Sequence, residues 1–95
     1  MITVYRCNNG VVQRQVLDHC CLRVTGRLHD TNMFCLIAFS DRQSVFPGDR
    51  ILPGEGPEVI DWERFIPSLE PELLVVTHAT PYYFEGNHHH TEAGN

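Results

Sequence analysis

The chain has 95 residues, 42% of them apolar, and a formal net charge of −5, with seven arginines as its only strong bases. That length admits one domain, spanning residues 1–95, and leaves no comfortable room for a second. An acidic balance without a basic patch excludes the phosphate-neutralising footprint of a direct nucleic-acid binder.

Ile2 to Cys7 and Val11 to Val16 read as strands on either side of Asn8-Asn9-Gly10. The Asn-Gly pair supplies the positive φ angles of a type I′ turn, so a β-hairpin is predicted. From Cys21 to His29 the pattern alternates, with Leu22, Val24, Gly26 and Leu28 on one face and Cys21, Arg23, Thr25, Arg27 and His29 on the other. That is a half-exposed strand with an arginine-bearing outer side. Asp30-Thr31-Asn32 is read as a turn, and Met33 to Phe39, apolar on both faces, fits a central strand. Pro47-Gly48 and Pro53-Gly54 bracket a short strand over Asp49 to Leu52, with Gly56-Pro57 following at once. Asp61 to Ile66 predicts at most one helical turn, with Asp61 as its cap and Pro67 ending it. Leu73 to Thr77 reads as a buried strand, and Pro81 sends the next segment to an edge or a bend. Tyr82-Tyr83-Phe84, a turn at Glu85-Gly86-Asn87, and His88 to Glu92 close the chain as a last hairpin. The sum is a mostly β fold, a small antiparallel barrel or rolled sheet of about six or seven short strands. Its sheet edges must be closed, charged or covered, and homo-oligomerisation through them is one way to cover them.

The acids are not evenly spread. Between Gly54 and Glu72 lie Glu55, Glu58, Asp61, Glu63, Glu70 and Glu72 against the single base Arg64, a balance of −5. The remaining six arginines and six acids cancel, so the whole net charge sits in one stretch. Trp62 and Phe65 lie among these carboxylates. They either fold inward to cap the sheet, or anchor a partner with a basic surface that the acidic field steers into place. In the second reading Glu55, Glu58, Asp61, Trp62, Glu63 and Phe65 form the partner-binding site.

The C-terminal His88-His89-His90-Thr91-Glu92 is the other chemically pointed motif. On a regular strand His88, His90 and Glu92 share a face, and two imidazoles with a carboxylate can hold Zn²⁺ or Fe²⁺. Glu85, across the turn, is a candidate fourth ligand or general base. The competing reading is an exposed polar strand end without a cofactor. Four cysteines (Cys7, Cys20, Cys21 and Cys35) contain no C-x-x-C pair and read as reduced, mostly buried strand residues. No nucleophile elbow, P-loop or dinucleotide fingerprint occurs, so no catalytic residue is assigned.

The N-terminus has no basic region ahead of a long apolar stretch, and the longest apolar run, Met33 to Phe39, is far short of the ~20 residues a membrane helix needs. A cytoplasmic, non-membrane protein is expected. The run Phe46 to Pro57, with Trp62, Phe65-Ile66-Pro67, Pro81-Tyr82-Tyr83 and Glu92-Ala93-Gly94, resembles short accessory proteins of bacteriophages and mobile elements. The resemblance implies a bacterial host cytoplasm and action by binding, as inhibitors of host defence complexes of the anti-CRISPR type act. It implies no enzymatic activity. The leading expectation is therefore a non-enzymatic protein-binding protein. Behind it stand a metal-binding protein or metal-dependent enzyme built on His88, His90 and Glu92, and a small nucleotide-ligand binder using Arg23 and Arg27.

Overall fold

The computed structural model describes residues 1–29 and 31–95; Asp30, part of the turn read from the sequence, lies outside the described residues. Eight strands follow in order: β1 (Ile2–Asn8), β2 (Val11–Leu17), β3 (Cys20–Leu28), β4 (Thr31–Phe39), β5 (Arg50–Pro53), β6 (Leu74–Val75), β7 (His78–Phe84) and β8 (Asn87–Gly94). One 3-10 turn, Trp62–Arg64, is the only helical element among the described residues. No described helix is long and apolar enough to cross a membrane. The mostly β, antiparallel character expected from the sequence holds. The strands form two four-stranded sheets rather than a closed barrel: β2-β1-β5-β6 (sheet A) and β3-β4-β8-β7 (sheet B).

The predicted first hairpin forms as read. Asn9 and Gly10 take φ of 51° and 78°, and Asn8 pairs with Val11 across the two-residue turn. The last hairpin repeats the device one residue earlier than the sequence suggested. Glu85 and Gly86 carry the positive φ angles and Phe84 pairs with Asn87. Thr31 and Asn32, read as turn, are instead the first residues of β4. The Leu73 to Thr77 strand is shorter than its composition suggested, with two residues in the ladder, although Leu73, Leu74 and Val76 are all buried. Asp61 precedes the 3-10 turn in extended conformation but makes no side-chain cap bond.

The two sheets pack face to face. Ile2 and Val4 of β1, Ile51 of β5, Leu74 and Val76 meet Phe34, Leu36 and Ala38 of β4 and Ala93 of β8 in one apolar cluster. Period-2 alternation then sends Thr3 and Tyr5 to the far side of β1, yet both are fully buried as well. The reason is a third layer. Residues 54–73 fold over the outer face of sheet A, where Tyr5, Phe65 and Leu73 form a second buried cluster with Val12, Leu52, Val59 and Trp62 around it.

The corner between the sheets is held by charge. Arg6 donates through Nε to Asp49 Oδ1 at 2.8 Å and through Nη2 to Asp49 Oδ2 at 2.7 Å, and its guanidinium lies over the Phe46 ring. Asp49 also accepts the Phe46 N–H, so its buried carboxylate is paired on both oxygens. That pairing raises the pKa of Arg6 above its usual value.

Candidate functional site

The acidic segment is pinned to sheet A by its backbone. The Thr3 hydroxyl donates to Gly54 O at 2.8 Å and accepts the Gly56 N–H at 2.7 Å, and Tyr5 donates to Pro57 O at 2.6 Å. Arg14 donates to Gly56 O through two nitrogens. Arg50 stacks on Trp62 with its guanidinium carbon 3.8 Å from the ring centroid and donates to Trp62 O and Phe65 O. Burial lowers the pKa of this arginine and raises that of Tyr5. The guanidinium here serves carbonyls and a ring rather than an acid.

This anchoring decides which of the predicted contact residues face solvent. Phe65 is 5% exposed and sits edge-on to Tyr5 at 4.7 Å, so it is a cap residue; Trp62 is half-buried beside it. Glu55, Glu58, Asp61 and Glu63 are all exposed, as are Glu70 and Glu72. Glu55 lies 3.8 Å from Arg14. Among the described residues no ion pair engages the other five. Between Glu58 and Asp61 stands Ile60, 94% exposed, the most solvent-facing large apolar residue of the chain. Sequence reasoning passed over it because it looked for aromatic anchors; its signal was the Val59-Ile60 pair between Glu58 and Asp61, of which Val59 packs on the second cluster and Ile60 does not.

The histidine run folds differently from a regular strand. Tyr82 pairs with His90 but Tyr83 pairs with His88, so His89 is an extra residue that breaks the alternation. His88 is thereby turned away from His90 and Glu92. Its Nδ1 meets Ser40 O at 2.7 Å, which can only accept, and its Nε2 meets the buried Thr91 hydroxyl at 3.0 Å. Both ring nitrogens are engaged, and a metal would have to displace these partners. His90 and Glu92 stay on the outer face of sheet B, with His90 Nε2 3.9 Å from Glu92 Oε2, and His89 joins them through an Nδ1–Nδ1 contact to His90 at 2.8 Å. Glu85 occupies the turn itself. Among the described residues no group of three His, Cys, Asp or Glu side chains is placed to hold a metal ion.

Arg23 and Arg27 do not share a surface. The ladder slips between Val24 and Gly26, so Arg23 pairs with Cys35 and Arg27 with Asn32, positions on opposite faces of β4. All four cysteines are free thiols; Cys7 and Cys20 are half-buried, whereas Cys21 and Cys35 are exposed rather than buried. They are exposed because nothing among the described residues covers the outer face of sheet B.

That outer face ends in a cluster of rings which the sequence did not single out. Tyr82 stacks on His90 with centroids 4.8 Å apart and planes 9° from parallel, and Phe39 approaches both His89 and His90 at about 6 Å. Tyr82, Tyr83, Phe84, His89 and His90 line an open groove of about 370 Å³. The Glu92 carboxylate near Tyr82 raises the phenol pKa above its usual value. No family model, curated protein or solved structure matches the chain.

Proposed function

We propose that the protein is a non-enzymatic binding module that engages a protein partner with a basic surface through its 54–72 layer. The observation that carries this reading is Ile60, 94% exposed at the centre of a segment whose backbone is fastened to sheet A. An aliphatic side chain standing in water between Glu58 and Asp61, three residues beyond the anchored Pro57, is suited to seat in a partner's apolar pocket, with the surrounding carboxylates steering encounter. Trp62 and Phe65 support the layer from beneath, and the contact set is Glu55, Glu58, Ile60, Asp61 and Glu63. The likeness to phage and mobile-element accessory proteins suggests a bacterial cytoplasm and a host assembly as the target, with inhibition as the outcome.

The test is association kinetics with the partner purified from the native host. Changing Glu55, Glu58 and Glu63 to Gln and Asp61 to Asn should slow association by about tenfold or more at low salt, with the difference fading as the Debye length falls from ~10 Å at 0.1 M to ~3 Å at 1 M. Ile60→Ser should instead speed dissociation. A partner whose rates ignore salt and both variants overturns the reading.

A further inference from the structure

The ring groove at the end of sheet B has a chemistry of its own, independent of the acidic layer on sheet A. All five of its lining residues are aromatic or imidazole rings, and none is an arginine. Tyr83 and Phe84 are 63% and 69% exposed, far beyond what a core-supporting residue shows. The Tyr82–His90 pair presents two parallel ring faces at 9°. A carboxylate, Glu92, stands 3.9 Å from His90 and close enough to Tyr82 to raise its phenol pKa, which places a negative charge beside the stack. A second, Glu85, sits in the turn directly after Phe84.

Ring faces attract cations through their quadrupoles, and a flat guanidinium both stacks on them and bonds a carboxylate sideways. The chain stacks a guanidinium on a ring twice on itself: Arg6 lies over Phe46 and also bonds the Asp49 carboxylate, while Arg50 lies over Trp62 and bonds carbonyls. We propose that the groove lined by Tyr82, Tyr83, Phe84, His89 and His90 is a docking site for an arginine side chain of a protein partner, stacked on the rings and paired with Glu92. It widens the reading above to a second surface and stands without it, because the two lie on the outer faces of different sheets.

The experiment is an NMR titration of the intact protein with the peptide acetyl-Gly-Gly-Arg-Gly-Gly-amide, and with the same peptide carrying the neutral isostere citrulline. The arginine peptide should shift the Tyr82, Tyr83 and His90 resonances saturably, and the citrulline peptide should not. Glu92→Gln, an isosteric change, and Phe84→Ala, at an exposed position, should each weaken binding about two- to fivefold. The two variants are independent, so a folding defect in one leaves the other to decide. The protein with Glu55, Glu58, Asp61 and Glu63 neutralised should bind the peptide at the groove unchanged. Equal shifts with citrulline, shifts confined to residues 54–72, or full affinity in both variants would overturn the proposal.

Discussion

Tyr5 on β1 and Phe39 on β4 are both large rings on the outer face of a four-stranded sheet, yet Tyr5 is fully buried and Phe39 is 46% exposed. Sheet A is covered by residues of its own chain, fastened through Thr3, Tyr5, Arg14 and Arg50 to the backbone of 54–65. Sheet B offers a comparable row of Cys21, Cys35, Ile37 and Phe39, and leaves it open to solvent. The difference shows where the fold spends its chain length: the 54–73 segment makes one sheet two-sided and anchors the net charge to it. On the other sheet the apolar side chains contribute little to stability and remain free for contact with something else.

If the cover over sheet A is structural, its removal should be costly. Phe65→Ala takes away a ring packed on Tyr5 and Leu73, and should lower stability by about 3–4 kcal/mol, a fall in Tm on the order of 15 °C for a domain of this size. Phe39→Ala deletes a ring of equal size from the open face and should cost about 1 kcal/mol or less. Thermal denaturation of both variants measures the contrast directly. Equal losses would mean that the outer face of sheet B is supported as firmly as that of sheet A.

A subtler variant probes the seam between cover and sheet. Gly56 is buried, and a Cβ there would run into the Tyr5 hydroxyl, itself held by Pro57 O, and press on Leu52. Gly56→Ala should therefore cost about 1–3 kcal/mol by displacing that ring, with the denaturant midpoint as readout. Gly10→Val, at a φ of 78° with open space around it, should cost a similar or smaller amount, about 1–2 kcal/mol, from backbone strain alone. The two glycines separate a packing constraint from a conformational one.

These contrasts follow what the sequence could and could not reveal. Hairpins set by local turn chemistry were legible, because Asn9-Gly10 and Glu85-Gly86 impose their geometry on the chain nearby. The charge of the 54–72 layer was legible too, since it depends on composition alone. Which way Trp62 and Phe65 pointed was not, because that is fixed by Tyr5 and Thr3, some sixty residues away. The strand faces failed wherever a ladder slipped. One extra residue at His89 moved His88 away from Glu92, and the shift after Val24 parted Arg23 from Arg27. Bulges leave no periodic trace in a short strand. The ring groove was invisible for a related reason, since Tyr82, His90 and Phe39 are neighbours only through cross-strand register.

The four thiols give the gentlest reading of the same contrast, because they report exposure without altering the fold. Cys21 and Cys35 stand on the open face of sheet B, across from Ile37 and Arg23 respectively. Cys7 lies on the covered side of sheet A, paired with Val12, while Cys20 turns toward the core opposite Ala38, its Sγ 3.7 Å from Leu17 O. An aromatic disulfide reagent added to native protein should therefore modify two thiols quickly and two at least about tenfold more slowly, the slow pair waiting on local opening. Denatured protein should yield all four at one rate. Cys35→Ser should remove one equivalent from the fast phase and change stability by no more than about 0.5 kcal/mol, as an exposed substitution with no buried partner does. The assay also reports occupation of the open face. A partner or a second copy seated there would slow Cys21 and Cys35 with rising concentration and leave Cys7 and Cys20 untouched. A single rate for all four native thiols, or Cys7 reacting ahead of Cys35, would mean that the two outer faces are equally open and that the 54–73 cover does not hold in solution.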